Sequence, residues 1–251
     1  MGRVLEPEVM EGEDEAVAYD ELDEIWGDVI FQGFAESALR MGVRHGRVLD
    51  VGTGSGRIAV RLAKLNPDLM IDAIDLSRSM LDRANRHAAQ EGVKNVRFWM
   101  ADAKHIPYEA HTFDLVMCHQ LLHQLPDPVI ALREINRVAK PHGAILVRDV
   151  RRLPEPAMSI AAPLWCIGYS RKMREQTSAS FRAGLTVTEF RRLVRDAGIE
   201  GASVRTHLLT HQGVERPAAP YEPPPTDRLP RYPVLVRAIK SYYLSGPPSV
   251  R

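Results

Sequence analysis

The stretch Val48-Leu49-Asp50-Val51-Gly52-Thr53-Gly54-Ser55-Gly56-Arg57-Ile58 decides the fold. A short apolar run ends in three glycines spaced by one residue, and an apolar helical pattern follows over Ile58–Leu65 until Asn66-Pro67 stops it. That order predicts a buried strand, a sharp turn and a helix. Glycine permits the backbone angles of such a turn and lets the main chain approach a ligand with no Cβ between them. A ligand held there sits outside the carboxyl end of the strands, at the switch point of the sheet. The details narrow its chemistry. A dinucleotide fingerprint needs glycine where Arg57 stands, and no Walker lysine with its Ser/Thr partner is present.

Outward from this point the chain alternates regularly. Strands are expected at Leu69–Ile74, Val96–Met100, Phe113–Met117 and Ala144–Val147, with helices at Arg78–Gln90 (capped by Ser77) and Pro128–Val138. Pro141-His142-Gly143 reads as a turn before the fifth strand. Strands separated by helices of this length imply an α/β fold, a parallel sheet wrapped by helices on both faces. Thr186 and Glu189 have capping-box spacing before a further helix to about Ala197, and Ala202–Leu209 and a run to about Val214 read as closing strands.

Two more strand tips carry acids. Asp75 stands 23 residues after Gly52, at the end of the second strand, where a carboxylate accepts both hydroxyls of a ribose. Asp72 competes for that role but lies within the strand. Asp102 ends the third strand, where a carboxylate accepts the exocyclic amine of adenine. Taken alone it reads better as a loop aspartate capping a turn. A glycine loop, a ribose acid and an adenine acid at three successive tips together specify an adenosine ligand.

The order VLDVGTGSGRIAV, IDAIDLSRSMLDRA, ADAKHIPYEAHTFDLVMCHQLLHQLPDP and LREINRVAKPHGAILVRD, over about residues 47–150, resembles a class I S-adenosylmethionine-dependent methyltransferase. The stretch 186–215 is similar to that family's last helix and strands. The resemblance implies a Rossmann-like doubly wound sheet of seven strands with the last antiparallel. It implies cofactor contacts at Asp50, Gly52, Thr53, Gly54, Gly56, Asp75, Leu76, Met80, Asp102 and Ala103. It sets Cys118, His119 and Gln120 beside the reactive methyl, so His119 and Gln120 join the cofactor set. Many relatives carry paired histidines before the Leu-Pro-Asp-Pro turn; here the pair is His123-Gln124. The opening Arg3–Met10 with Glu15–Asp20 resembles a little-characterised bacterial branch, and Tyr19 is the candidate residue covering the cofactor.

Methyl transfer is an in-line displacement from a sulfonium, so alignment and exclusion of water do most of the work. A base helps where the nucleophile must lose a proton, and His119 and His123 are the candidates. The plain alternative for His123 is packing under the loop. Arg148 and Arg151 follow the fifth strand and are candidates for binding an acidic substrate, with Trp165 and Tyr169 of a helical insertion over 151–185 as a roof. Strand alternation points Arg148 and Asp149 to opposite faces.

Composition bounds the remaining classes. With 251 residues, 45% of them apolar, the chain can bury a sizeable core. A net charge of +1 gives no support to a nucleic-acid partner, and no segment reaches the roughly 18 apolar residues of a membrane span. Cys118 and Cys166 form no zinc-type spacing, so no metal is expected, and free thiols with no secretory signal point to the cytoplasm. Residues 1–30 hold eleven acids against Arg3 alone. The expected organisation is an acidic arm and lid helix (1–46), a methyltransferase domain (47–215) and a Pro-rich tail (216–251). The tail and the apolar insertion are compatible with a homodimer. The leading expectation is methyl transfer to a small-molecule O, N or C nucleophile, releasing S-adenosylhomocysteine. The alternatives are an RNA or protein methyltransferase, against which the absence of an Asn-Pro-Pro-Tyr-type motif counts, and a non-catalytic S-adenosylmethionine-binding protein.

Overall fold

A computed structural model describes residues 2–6, 27, 29–207 and 210–223. Tyr19, Leu209 and the tail beyond residue 223, on which several expectations rest, lie outside these residues. The described elements are α1 (Phe31–Leu39), β1 (Gly46–Val51), α2 (Arg57–Leu65), β2 (Leu69–Asp75), α3 (Arg78–Gln90), β3 (Val96–Met100), β4 (Phe113–His119), α4 (Pro128–Val138), β5 (Ala139–Val150), α5 (Glu155–Trp165), α6 (Arg171–Ala183), α7 (Val187–Asp196), β6 (Ser203–His207) and β7 (His211–Arg216).

The strands form one sheet in the order β3-β2-β1-β4-β5-β7-β6. β7 runs antiparallel to β5 and β6, and the other pairings are parallel. The expected doubly wound α/β sheet of seven strands is thus what the chain forms. The strand order reverses between β1 and β4, which opens a crevice at their carboxyl ends.

Alternation along β1 divides the core. Val48 joins Phe34, Leu62 and Met117 under α1 and α2, whereas Leu49 and Val51 join Leu132, Ile135 and Phe190 under α4 and α7. These fully buried strands read as near-continuous apolar runs because both faces are covered.

Pro141-His142-Gly143 proves to belong to β5 rather than to a turn before it. Phe113 pairs with Ala139 and Leu115 with Ala144, so four residues of β5 stand opposite the single Asp114. This irregularity keeps strand pairing on both sides of the turn-forming residues. The insertion forms α5 and α6. No residue of α5 itself is buried, while Cys166, Tyr169 and Met173 after it pack into the core beneath α1. The Thr186 capping box is present in full, with both reciprocal hydrogen bonds to Glu189.

Candidate active site

The crevice begins with the glycine loop. Gly52 and Thr53 donate their amides to the Ile74 carbonyl, both at 2.9 Å, and so tie the loop to the tip of β2. Gly54 has φ +54° with no atom within 4 Å of where a Cβ would stand, so it combines a left-handed backbone with open space for a ligand. Gly56 has φ +73°, and a Cβ there would lie 2.8 Å from Ala84 Cβ and 2.9 Å from Phe98 Cε1. Its role is therefore close packing of α2 against α3 and β3, and among the residues lining the cavity it does not appear.

Asp50, Gly52, Thr53, Gly54, Asp75, Leu76, Met80, Asp102, Ala103, His119 and Gln120 all line one cavity at the strand tips. Asp75 accepts the amides of Gly54 and Ser77, both at 2.8 Å, and so braces the glycine loop from the next strand. Asp72 instead pairs with Arg47 at 2.7 Å, a structural role. Asp102 accepts the Lys104 amide at 2.8 Å, so it closes a turn while facing the cavity. Asp50 accepts the Thr53 hydroxyl at 2.7 Å. Burial pushes its pKa up to about 7, against the Thr53 hydrogen bond and with help from Asp75.

Phe31, Ser55, Arg57, Ile58, Leu121, Gln124 and Leu125 complete much of the wall. None of them carried a sequence signal beyond its neighbourhood to the glycine loop or to β4. Gln120 adopts φ +56°, an unusual angle for a residue other than glycine, directly after β4. Its amide donates to the Arg148 carbonyl at 2.8 Å, and its side-chain Nε2 lies 3.1 Å from His211 Nε2. His211, on β7, was not foreseen because its partner is 91 residues away.

The two candidate histidines separate. His119 lines the cavity beneath Phe34, with ring centroids 4.6 Å apart. Burial, then His211, Arg148 and His123, hold its pKa well below the ordinary value, so it is neutral at physiological pH. His123 is 2% exposed and does not line the cavity. Its Nδ1 stands 2.7 Å from Asp149 Oδ1 and its Nε2 3.6 Å from Glu6 Oε2. Burial alone would lower its pKa, but Asp149 and Glu6 carry it up to about 9. With Asp149 and Glu6 against its two nitrogens, His123 sits as the packing alternative expects, outside the residues that line the cavity. Cys118 turns away from the cavity, into the core under α4.

The four candidate substrate residues do not line the cavity either. Arg148 is fully buried, 3.6 Å from Glu215 and over the Phe34 ring. The expected opposition of Arg148 and Asp149 holds: the Arg148 guanidinium lies over Phe34 in the core, while Asp149 meets His123. Arg151 extends the β5–β7 pairing through its amide, donated to the Thr210 carbonyl at 2.7 Å. Trp165 packs on His211 with centroids 5.3 Å apart, and Tyr169 is a core residue.

A doubly wound sheet with a glycine loop and acids at three successive strand tips defines an enzyme of the adenosine-cofactor class. The profile of a methyltransferase domain matches residues 43–198, and the chain belongs to this family of S-adenosylmethionine-dependent methyltransferases. It is 31% identical to the 27-O-demethylrifamycin SV methyltransferase of Amycolatopsis mediterranei, over 73% of this chain and 71% of that enzyme. Among solved structures, a SAM-dependent methyltransferase from Aquifex aeolicus shares its fold with a TM-score of 0.60 at 22% identity, covering 81% of this chain and 98% of the other. The plantazolicin methyltransferase BamL, in complex with a triazolic desmethylPZN analog and SAH, does so with a TM-score of 0.63 at 20% identity, covering 77% and 72%. Among the described residues no group of three or more metal-ligating side chains is found, and no helix is long and apolar enough to cross a membrane.

Proposed function

We propose that the chain transfers a methyl group from S-adenosylmethionine to a small-molecule O, N or C nucleophile at the His119–Gln120 end of the cavity. One observation carries this reading: Asp50, Asp75 and Asp102 face the same cavity from three adjacent strand tips, with His119 and Gln120 at its side. The donor set suits the cofactor's chemistry. Asp75 is offered to ribose hydroxyls and Asp102 to the adenine amine, while Leu76, Met80 and Ala103 are apolar surface for the base. Asp50 is a buried carboxylate whose ionised form a cationic ligand would stabilise.

The cofactor supplies a methyl carbon on a sulfonium that leaves readily. The chain's part is to align the nucleophile and exclude water. His119 is neutral and can accept a hydrogen bond from a hydroxyl or amine, which orients its lone pair towards the methyl. Gln120, pinned at His211, supplies a second oriented polar group. The rifamycin-related enzyme supports a small-molecule acceptor through the resemblance alone.

Calorimetric titration with S-adenosylhomocysteine tests the reading. Micromolar binding is expected for the parent. Asp75→Ala should weaken it by about 30-fold or more, the scale of lost hydrogen bonds to a charged group. His119→Ala should bind normally and lower turnover once an acceptor is in hand. Equal binding by Asp75→Ala and the parent would sink the ribose assignment.

A further inference from the structure

We propose that residues 2–6 are a working part of the cofactor site: Arg3 braces the 121–125 turn from behind, and Glu6 closes on His123. Docking of this segment thereby sets the wall of the cavity that faces the acceptor. The inference rests on the methyltransferase reading of that cavity.

The turn after β4 is one wall of the site, because Leu121, Gln124 and Leu125 line the cavity. Leu121 also lies against the glycine loop: a Cβ on Gly52 would come within 3.0 Å of Leu121 Cδ2. Within the turn Gln124 donates to the Leu121 carbonyl at 3.0 Å and Leu125 to the Leu122 carbonyl at 3.3 Å, and the His123 amide donates to Asp149 Oδ2 at 3.2 Å. The carbonyls of His123 and Leu125 take their donors from outside the turn.

Arg3 supplies them. The two N–H groups of its Nη2 serve the carbonyls of Leu122 at 3.0 Å, His123 at 2.7 Å and Leu125 at 2.8 Å, one of them shared between two acceptors. Its Nη1 reaches Pro126 at 3.5 Å, and its Nε donates to the Ala183 carbonyl at the end of α6 at 2.7 Å. Only the planar fork of a guanidinium can serve so many carbonyls from one position. One side chain from the third residue of the chain therefore joins the cavity wall to the insertion. The Val4 amide adds a bond to the Arg182 carbonyl at 3.3 Å.

Glu6 makes the second anchor. Its carboxylate lies 3.6 Å from His123 Nε2 and accepts the Ser180 hydroxyl at 3.4 Å. His123 is held on its other side by Asp149 of β5. The charged and titratable groups around the imidazole are thus Glu6 and Arg3 from the N-terminal segment, Asp149 from β5, His119 from β4 and His211 from β7. The last two are neutral, so the imidazolium pairs with the two carboxylates. Deprotonation of His123 removes the attraction that holds Glu6.

The experiment uses the full chain and the variants Arg3→Ala and Glu6→Gln. Two quantities are read: affinity for S-adenosylhomocysteine by calorimetry, and hydrogen exchange of the Gln124 and Leu125 amides, corrected for intrinsic rates. Arg3→Ala should weaken binding by about tenfold and speed exchange at these two amides by a similar factor, the scale of one set of charge-assisted bonds. Exchange in β1 and β4 should stay at the parent's value. Glu6→Gln keeps the Arg3 brace but removes the charge. The parent's affinity should fall as pH rises through about 9, and in Glu6→Gln that fall should move to lower pH. Parent-like affinity and exchange in Arg3→Ala would overturn the proposal. If Arg3→Ala loosens the whole chain, Glu6→Gln decides, and an unmoved pH midpoint overturns it. If the parent itself fails to bind S-adenosylhomocysteine, the cofactor reading falls, while exchange at Gln124 and Leu125 still tests the brace.

Discussion

Asp50 shows how burial sets chemistry at one residue. In water its carboxylate would be ionised at any physiological pH; enclosed at the tip of β1, its pKa rises to about 7. Sign follows from this. S-adenosylmethionine is cationic and favours ionised Asp50, so binding below pH 7 must displace a proton. Affinity for S-adenosylmethionine is expected to fall by up to about tenfold per pH unit below 7 and to level off above it, and Asp50→Asn should flatten the curve. Calorimetry between pH 5.5 and 8.5 measures both. A flat parent curve would show that Asp50 does not meet the ligand's charge. That Asp75 and not Asp72 lines the cavity was legible in the sequence, because a strand's end faces the crevice and its interior does not. The division between His119 and His123 was not legible. Four residues separate them in sequence, but one lines the cavity and the other meets Asp149 and Glu6, partners 26 and 117 residues away.

At the scale of elements, local rules were the best guides. The β1–glycine–α2 unit, the Ser77 cap of α3 and the Thr186 capping box need only neighbours in sequence, and all three form as read. The irregular β5 needs β4 beside it, so the turn signal of Pro141-His142-Gly143 misled. Gly56 and Thr186 offer a contrast in cost. Thr186→Ala removes one cap, and should lower unfolding free energy by about 1 kcal/mol. Gly56→Ala forces a Cβ onto Ala84 and Phe98 at a left-handed backbone, and should cost about 2–4 kcal/mol. Urea denaturation compares them. A cost for Gly56→Ala no larger than for Thr186→Ala would mean that the α2–α3 contact yields readily.

Across the whole molecule, one buried charge cluster ties the parallel part of the sheet to its antiparallel edge. Arg148 on β5 stands 3.6 Å from Glu215 on β7, which also meets Arg205 at 3.2 Å and His207 at 3.5 Å on β6. Removing the fully buried Arg148 leaves that buried carboxylate with the partly exposed Arg205 as its remaining arginine and opens a cavity in the core. Arg148→Ala should therefore destabilise the fold by about 3–5 kcal/mol, and Arg148→Met with Glu215→Gln should recover part of the loss. Chemical denaturation of the three proteins measures this, and an unchanged midpoint in Arg148→Ala would assign the cluster no weight in stability.

The sequence by itself determined the class of fold, the family and most of the residues that line the cavity at the strand tips. Those features are written in periodicity and in strand-to-helix turns, where each residue's role depends on near neighbours and on the polarity of parallel strands. Only the tertiary structure decided which histidine lines the cavity, that Gly56 packs against Ala84 and Phe98, that Arg148 lies in the core, and that Arg3 and Glu6 sit against the turn after β4. The reason is physical. A polar side chain takes its role from the charges and donors that folding brings against it, and here those come from β5, β7 and the first six residues, far away along the chain.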